Sequence, residues 1–181
     1  ITDISAASRL DAEMSRARLR PVDVGQLVDG LVAAQQATFA GAGAADGSGA
    51  VRIRTQLPQP PARAMITADP DRLAQVLNNL IDNALSFAPP GTDIAVSVET
   101  VGGQVEIRVE DHGPGVPAEA RDAIFERFYS ERPRHEDYGT HSGLGLSIAR
   151  AIVEALDGQI RVEDRRDGAT GAAFVVHFPA L

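Results

Sequence analysis

Two pairs of segments alternate apolar and polar residues with a period of two: DIAVSVET with QVEIRVED, joined by Val101, Gly102 and Gly103, and QIRVED with AAFVVHF, joined around RRDGATG. Successive side chains of a strand point to opposite faces, so each pair reads as an antiparallel hairpin with one buried and one polar face. A doubly wound parallel sheet, covered on both sides, needs strands that are apolar throughout. These strands call for a cover on one side only. VRIRTQL and AMIT add two short strands, and amphipathic helices supply the cover. The expected fold class is therefore α/β, a two-layer α/β sandwich with a mixed sheet and helices on one face.

The helices are read from spacings of three and four. Ile1, Ile4, Ala7, Leu10, Met14 and Ala17 form one apolar face over residues 1–20, a short helical segment that Pro21 is expected to end. A second helix is expected from about Val24, capped by Asp23, through Leu27, Val28, Leu31 and Val32 to about Ala37, before the Gly/Ala/Ser loop GAGAADGSGA. The strongest helix signal is ADPDRLAQVLNNLIDNALSFAPPG. Asp69 caps it, Pro70 takes the first helical position, and Leu73, Val76, Leu77, Leu80, Ile81 and Ala84 carry the stripe until Pro89, Pro90 and Gly91 end it. With 181 residues, 44% of them hydrophobic, residues 21–181 are expected to form one main domain.

Composition removes several chemistries. The 17 basic residues are all arginine. A P-loop, a eukaryotic-type protein kinase and a Schiff-base enzyme each need a lysine, so a nucleotide site here must rely on arginine, backbone and metal. A formal net charge of −8, with no basic stretch interleaved with aromatics, argues against a nucleic-acid partner or an anionic membrane surface. The absence of cysteine removes disulfides and cysteine zinc sites and fits a cytoplasmic setting. No apolar run approaches the roughly 18–20 residues that span a bilayer. Because Ile1 already lies in a helical pattern, the chain is expected to be a piece of a longer protein, with membrane segments upstream.

The strong helix carries Asn78, Asn79, Asp82 and Asn83 in its interior, where such side chains cost about half a kcal/mol each relative to alanine. Asn79 and Asn83 lie about 40° apart on one edge of the stripe, so both can face a cleft, although loop capping or solvent exposure would also account for them. An amide oxygen is a neutral hard ligand, and Asn83 is the candidate for a magnesium ion that takes its other ligands from water and phosphates. In DHGPGVP, Asp111 can accept from an exocyclic amine, while Gly113 and Gly115 let backbone approach a flat ring; an ordinary turn is the plainer reading. In AIFERFYS, Ile124, Phe125 and Phe128 are expected on one helical face as a hydrophobic plug. ERPRHEDYGTHS is long and polar enough to be a lid, in which Arg132 and Arg134 can reach phosphates or stay solvated. His135 and His141 do not form a zinc pattern. Gly143, Leu144 and Gly145 then lead into a helix with apolar Leu146, Ile148, Ala149, Ile152, Val153 and Leu156, whose free N–H groups make an anion site.

In this order, the segments resemble the catalytic and ATP-binding domain of bacterial sensor histidine kinases, within the superfamily shared with gyrase B, Hsp90 and MutL. NNLIDNA looks like the N box, DHGPGVP the G1 box, FERF the F box and SGLGLS the G2 box. The resemblance covers about residues 21–181, and SRLDAEMSR with ERFY…HSGLGLSIAR is similar to alphaproteobacterial ChvG-type kinases. It implies a Bergerat-type ATP-binding fold, with ATP and Mg2+ as cofactors. Asn83 would ligate magnesium, and Asn79 would support metal and phosphates as the second catalytic residue. Asp111 would bind the adenine amino group, Gly113 and Gly115 would shape the base pocket, and Phe87 would lie along the ring. Ser142, Gly143, Leu144, Gly145 and Leu146 would hold lid and phosphates. Three positions depart from the pattern: Ser86 and Ser130 stand where many members are basic, leaving Arg132 or Arg134 to contact phosphate, and His141 takes the place of the first G2 glycine.

The same resemblance makes residues 1–20 the end of the second helix of a dimerisation and histidine-phosphotransfer hairpin. His112, His135, His141 and His177 all fall in loops or a strand, so the phosphate acceptor is expected upstream of Ile1. The expected function is to present the γ-phosphate of ATP to that histidine, in a homodimer anchored in the inner membrane that hands phosphate to a response-regulator receiver domain. One alternative is an ATP-hydrolysing clamp; it needs a glutamate where this chain has Asn79, and an amide cannot take a proton from water. The other is a nucleotide-sensing module that transfers nothing.

Overall fold

The computed structural model describes residues 18–41, 51–59, 62–129 and 143–181, without the side chains of 38–41. The expectations for the first helix up to residue 17, the Gly/Ala/Ser loop from residue 42, and Ser130, Arg132, Arg134, His135, His141 and Ser142 lie outside the described residues.

The main sheet consists of β2 (Arg52–Gln56), β4 (Asp93–Val101), β5 (Gln104–Glu110), β6 (Gln159–Glu163) and β7 (Ala173–Pro179), in the order β2-β4-β5-β7-β6. β2 runs parallel to β4 and every other pairing is antiparallel, so the sheet is mixed. Both hairpins read from the alternation are present. β4 and β5 join through the two-residue turn Gly102–Gly103, with Val101 opposite Gln104. β6 and β7 start from Glu163 opposite Ala173 and leave a longer connection, residues 164–172. A separate ribbon pairs β1 (Arg20–Asp23) with β3 (Met65–Ala68).

One face of the sheet carries Ile94, Val96, Val105, Ile107, Val109, Phe174, Val176 and Phe178, all buried. The helices α1 (Val24–Gly41), α2 (Pro70–Phe87) and α3 (Gly145–Ala155) form the other half of the core. All six stripe residues of α2 are buried. Its Asp69 cap accepts from the N–H groups of Asp71 at 3.0 Å and Arg72 at 3.4 Å, and also from Arg18 at 2.9 Å. Burial alone would raise the Asp69 carboxyl; these donors outweigh it and hold the group below its ordinary value.

The polar face is more built than alternation suggests. Arg108, 3% exposed, meets Glu163 at 2.6 Å, Glu110 at 2.8 Å and Glu106 at 3.6 Å. Glu106, itself buried, also accepts from His177 and Arg166. A buried charge must be paired, and register brings these carboxylates around one guanidinium.

Three local expectations are corrected. Arg20 and Pro21 belong to β1 rather than to a helix end and a stop, because a two-stranded ribbon has a free edge where a missing N–H costs nothing. α1 continues past Ala37 to Gly41. AIFERFYS is not a helix: a 3-10 turn covers Ala123–Phe125, and only Phe125 of the trio is buried. Phe125 packs edge-on against Phe174, with centroids 6.3 Å apart, and lies under the Arg150 guanidinium at 5.7 Å. Phe128 is 71% exposed and is not a core plug.

Candidate functional site

The candidate site draws on the end of β5, the C-terminal half of α2 and the start of α3. Asp111 follows β5 and is 2% exposed. Its N–H donates to Ala172 O at 3.0 Å, and its Oδ1 accepts from the N–H of Gly113 at 2.7 Å and of Ala172 at 3.4 Å. Among the described residues no donor reaches Oδ2. Burial pushes the Asp111 carboxyl above its ordinary value, opposed by those two N–H groups and by the nearby charges of Arg165 and His112. The result is a buried carboxylate with one oxygen fixed and the other left to accept.

The glycines of DHGPGVP serve this packing. A Cβ on Gly113 would stand 2.9 Å from Asp111 Oδ1 and 3.0 Å from both Cβ and O of Phe87, so the loop closes onto the end of α2. Phe87 is 39% exposed there. Gly115 packs against Gly171, whose carbonyl lies 3.0 Å from where its Cβ would be. His112 donates from Nδ1 to Asp93 O at 2.9 Å.

On α2, Asn79 and Asn83 are both half-buried, one turn apart. Among the described residues, Asn79 Nδ2 is a buried donor with no hydrogen-bond partner. The same side chain borders α3: a Cβ on Gly145 would lie 3.6 Å from Asn79 Oδ1. No described residue bonds the Asn83 amide. Asp82, by contrast, turns away to accept from Gln35 at 3.5 Å, and Ser86 Oγ donates back to Asn83 O at 3.1 Å.

α3 begins at Gly145 with no side-chain cap among the described residues, and its first N–H groups, as at any helix start, have no intrahelical acceptor. Gly143, at φ +66°, accepts at O from the N–H of Phe128 at 3.1 Å. Leu144 O accepts from Ile148 N–H and Ser147 Oγ, both at 2.9 Å, and Leu146 is half-buried. Asn79, Asn83, Phe87, Asp111, Gly113, Gly115 and Gly143–Leu146 thus come from segments far apart in sequence to three adjoining elements.

The connection between β6 and β7 also belongs to the site, which sequence reasoning missed. Ala172 holds Asp111 from both its N–H and its carbonyl, and Arg165 Nη1 donates to Asp111 O at 3.3 Å. The available signal was the length of that connection, more than a hairpin needs. A concavity of about 430 Å3 lies beyond Gly115, between Pro117 and Thr170; its Arg121 is paired with Asp164 at 2.6 Å.

The model of the family described as "Histidine kinase-, DNA gyrase B-, and HSP90-like ATPase" matches residues 68–181. The chain is 41% identical to the sensor protein ChvG of Rhizobium meliloti over 99% of its own length, and 39% identical to that of Agrobacterium fabrum. It spans 31% of the first and 30% of the second. Among solved structures, a mycobacterial sensor histidine kinase MprB is similar with a TM-score of 0.71 and 25% identity, covering 90% of this chain and 97% of that one. Full-length ShkA, solved in complex with AMPPNP, is similar with a TM-score of 0.68 and 28% identity, covering 91% of this chain and 31% of that one. The chain therefore belongs to the histidine kinase-, DNA gyrase B- and HSP90-like ATPase family, as an ATP-binding catalytic domain of the sensor histidine kinase type.

Proposed function

We propose that residues 21–181 bind Mg-ATP between α2, the Asp111 loop and the start of α3, and present its γ-phosphate to a histidine carried elsewhere in the parent protein. The observation that carries this reading is the pair of amides on α2 that no described residue engages. A buried Nδ2 without a partner costs about 1–3 kcal/mol, so Asn79 awaits an acceptor such as a phosphate oxygen or a phosphate-bound water. Asn83, one turn on, has an amide oxygen suited to magnesium, which when bound would neutralise charge on the phosphates. The residues fit the ion in that sense: one neutral protein ligand, with phosphates and waters supplying the rest.

The chain's own residues do the positioning. Asp111 Oδ2 accepts from the adenine amino group, Gly113 holds the loop against Phe87 and the base, and the first N–H groups of α3, from Gly145 onward, face phosphate. Ser142, Arg132 and Arg134 are assigned to the phosphate end from sequence alone. Transfer breaks the bond between the γ-phosphorus and its bridging oxygen and forms one to an imidazole nitrogen, with ADP leaving. Asn79 cannot act as a base toward water, which disfavours hydrolysis. His112 and His177 are held by Asp93, Glu106 and Arg161, in keeping with an acceptor on an upstream dimerisation hairpin ending in residues 1–20. The AMPPNP complex of ShkA supports nucleotide binding in this fold. In the parent protein this domain would lie on the cytoplasmic side of an inner-membrane homodimer and pass phosphate to a receiver domain.

Incubation with γ-labelled ATP tests the proposal. A chain extended upstream through the hairpin is expected to gain acid-labile label, whereas the 181-residue chain alone stays unlabelled. Acid-labile phosphate on the shorter chain would overturn it.

A further inference from the structure

We propose that Arg165 is a positioning residue for nucleotide recognition: from the β6–β7 connection it fixes the Asp111 peptide and, through it, the carboxylate that meets the adenine amino group. The proposal rests on the reading of Asp111 given above. The Arg165 side chain is only 8% exposed although it sits in a surface turn. Nε and Nη2 grip the two oxygens of Asp167, at 3.1 and 2.5 Å. This leaves Nη1 aimed at Asp111 O, 3.3 Å away. Asp167 is in turn set by the N–H of Ala169 at 3.0 Å.

The fork uses what a guanidinium offers. One planar group makes three directed contacts with a carboxylate and a carbonyl, which a single ammonium cannot reproduce. Asp167 is half-exposed, so its ion pair contributes little stability; its effect is to orient the guanidinium. The far end of the same connection holds the same residue, since Ala172 accepts from Asp111 N–H and donates to its Oδ1. Gly171 closes the arrangement: a Cβ there would collide with Asp111 O and with Arg165 Cδ. Asp111 is thus clamped from both ends of a turn that begins 54 residues later in the chain.

Calorimetric titration of the 181-residue chain with ATP and with inosine triphosphate, which lacks the exocyclic amine, tests this. The wild type is expected to prefer ATP. Arg165→Met should weaken ATP binding about tenfold while changing inosine triphosphate by less than about twofold, because only the amine contact needs a fixed carboxylate. The acid limb of ATP binding should also move to higher pH in Arg165→Met, since Arg165 and His112 are the cations that face Asp111 and the variant leaves only His112. Arg165→Lys should restore the acid limb but not the ATP preference. Should Arg165→Met fail to fold, Asp167→Asn loosens the fork without removing the arginine and should lower the ATP preference in the same direction. Equal weakening of both nucleotides, or an unchanged preference in every variant, overturns the proposal. A wild type that binds both nucleotides equally refutes the adenine role of Asp111, and this proposal with it.

Discussion

The two ends of the candidate site are built on opposite plans. At the Asp111 end nearly every polar atom is engaged within the chain: Oδ1 takes two N–H groups, the peptide is held by Ala172 and Arg165, and Gly113 is wedged against Phe87. At the end formed by α2 and α3, among the described residues, Asn79 Nδ2 is buried without a partner and α3 starts without a side-chain cap. The first end is a preformed acceptor. The second is a set of donors that, on the proposed reading, phosphate would satisfy. On the proposed reading, the contrast fits a domain that recognises its base with a preset hydrogen-bond acceptor and reserves its free donors for charge that moves.

The largest expected effect comes from breaking the preformed end at its tightest point. Gly171 sits at φ +142°, with Asp111 O and Arg165 Cδ where a side chain would begin. Gly171→Ala should cost about 3 kcal/mol or more in urea unfolding, from backbone strain and overpacking together. A cost below about 1 kcal/mol would mean that the turn yields easily and the clamp is not preformed.

A smaller effect, of opposite sign, is expected at the open end. Asn79→Ala removes a buried donor that has no partner and introduces a better helix former, so the unliganded chain should gain about 1 kcal/mol while Mg-ATP affinity falls. Thermal unfolding with and without nucleotide checks both halves. A loss of unliganded stability would mean that Asn79 is already satisfied, and the contrast would fail at that residue.

Much of this arrangement was legible in the sequence where it depends on local periodicity. The α2 stripe, its Asp69 cap and both β-hairpins follow from spacings of two, three and four and from turn residues. Asn79 and Asn83 stood out because amides in a helix interior break a local preference, whereas Asp111 lies in an ordinary-looking turn and stood out only through the order of the motifs around it. Contacts made by register and loop return were not legible. Glu106 and Arg108 read as solvent-facing positions of an alternating strand, and their burial depends on Glu163 arriving from β6. Arg165 and Gly171 looked like ordinary turn residues, since their partner is an Asp111 peptide encoded in another hairpin. Phe128 followed a helical spacing from Phe125, but the chain turns out of helix at Glu126 and reaches φ +64° at Phe128, where it pairs with Gly143.

Amide hydrogen exchange on the 181-residue chain, without nucleotide and then with Mg-AMPPNP, tests the contrast most directly. The N–H groups of Asp111, Gly113 and Ala172 have acceptors within the chain and should be protected before nucleotide is added, changing little afterwards. Those of Gly145, Leu146 and Ser147 have no helical acceptor and should exchange fast until nucleotide binds, then slow by tenfold or more, about 1.4 kcal/mol of local protection. Rapid exchange at Gly113 and Ala172 in the free chain, or protection gained equally at both ends, would contradict the account.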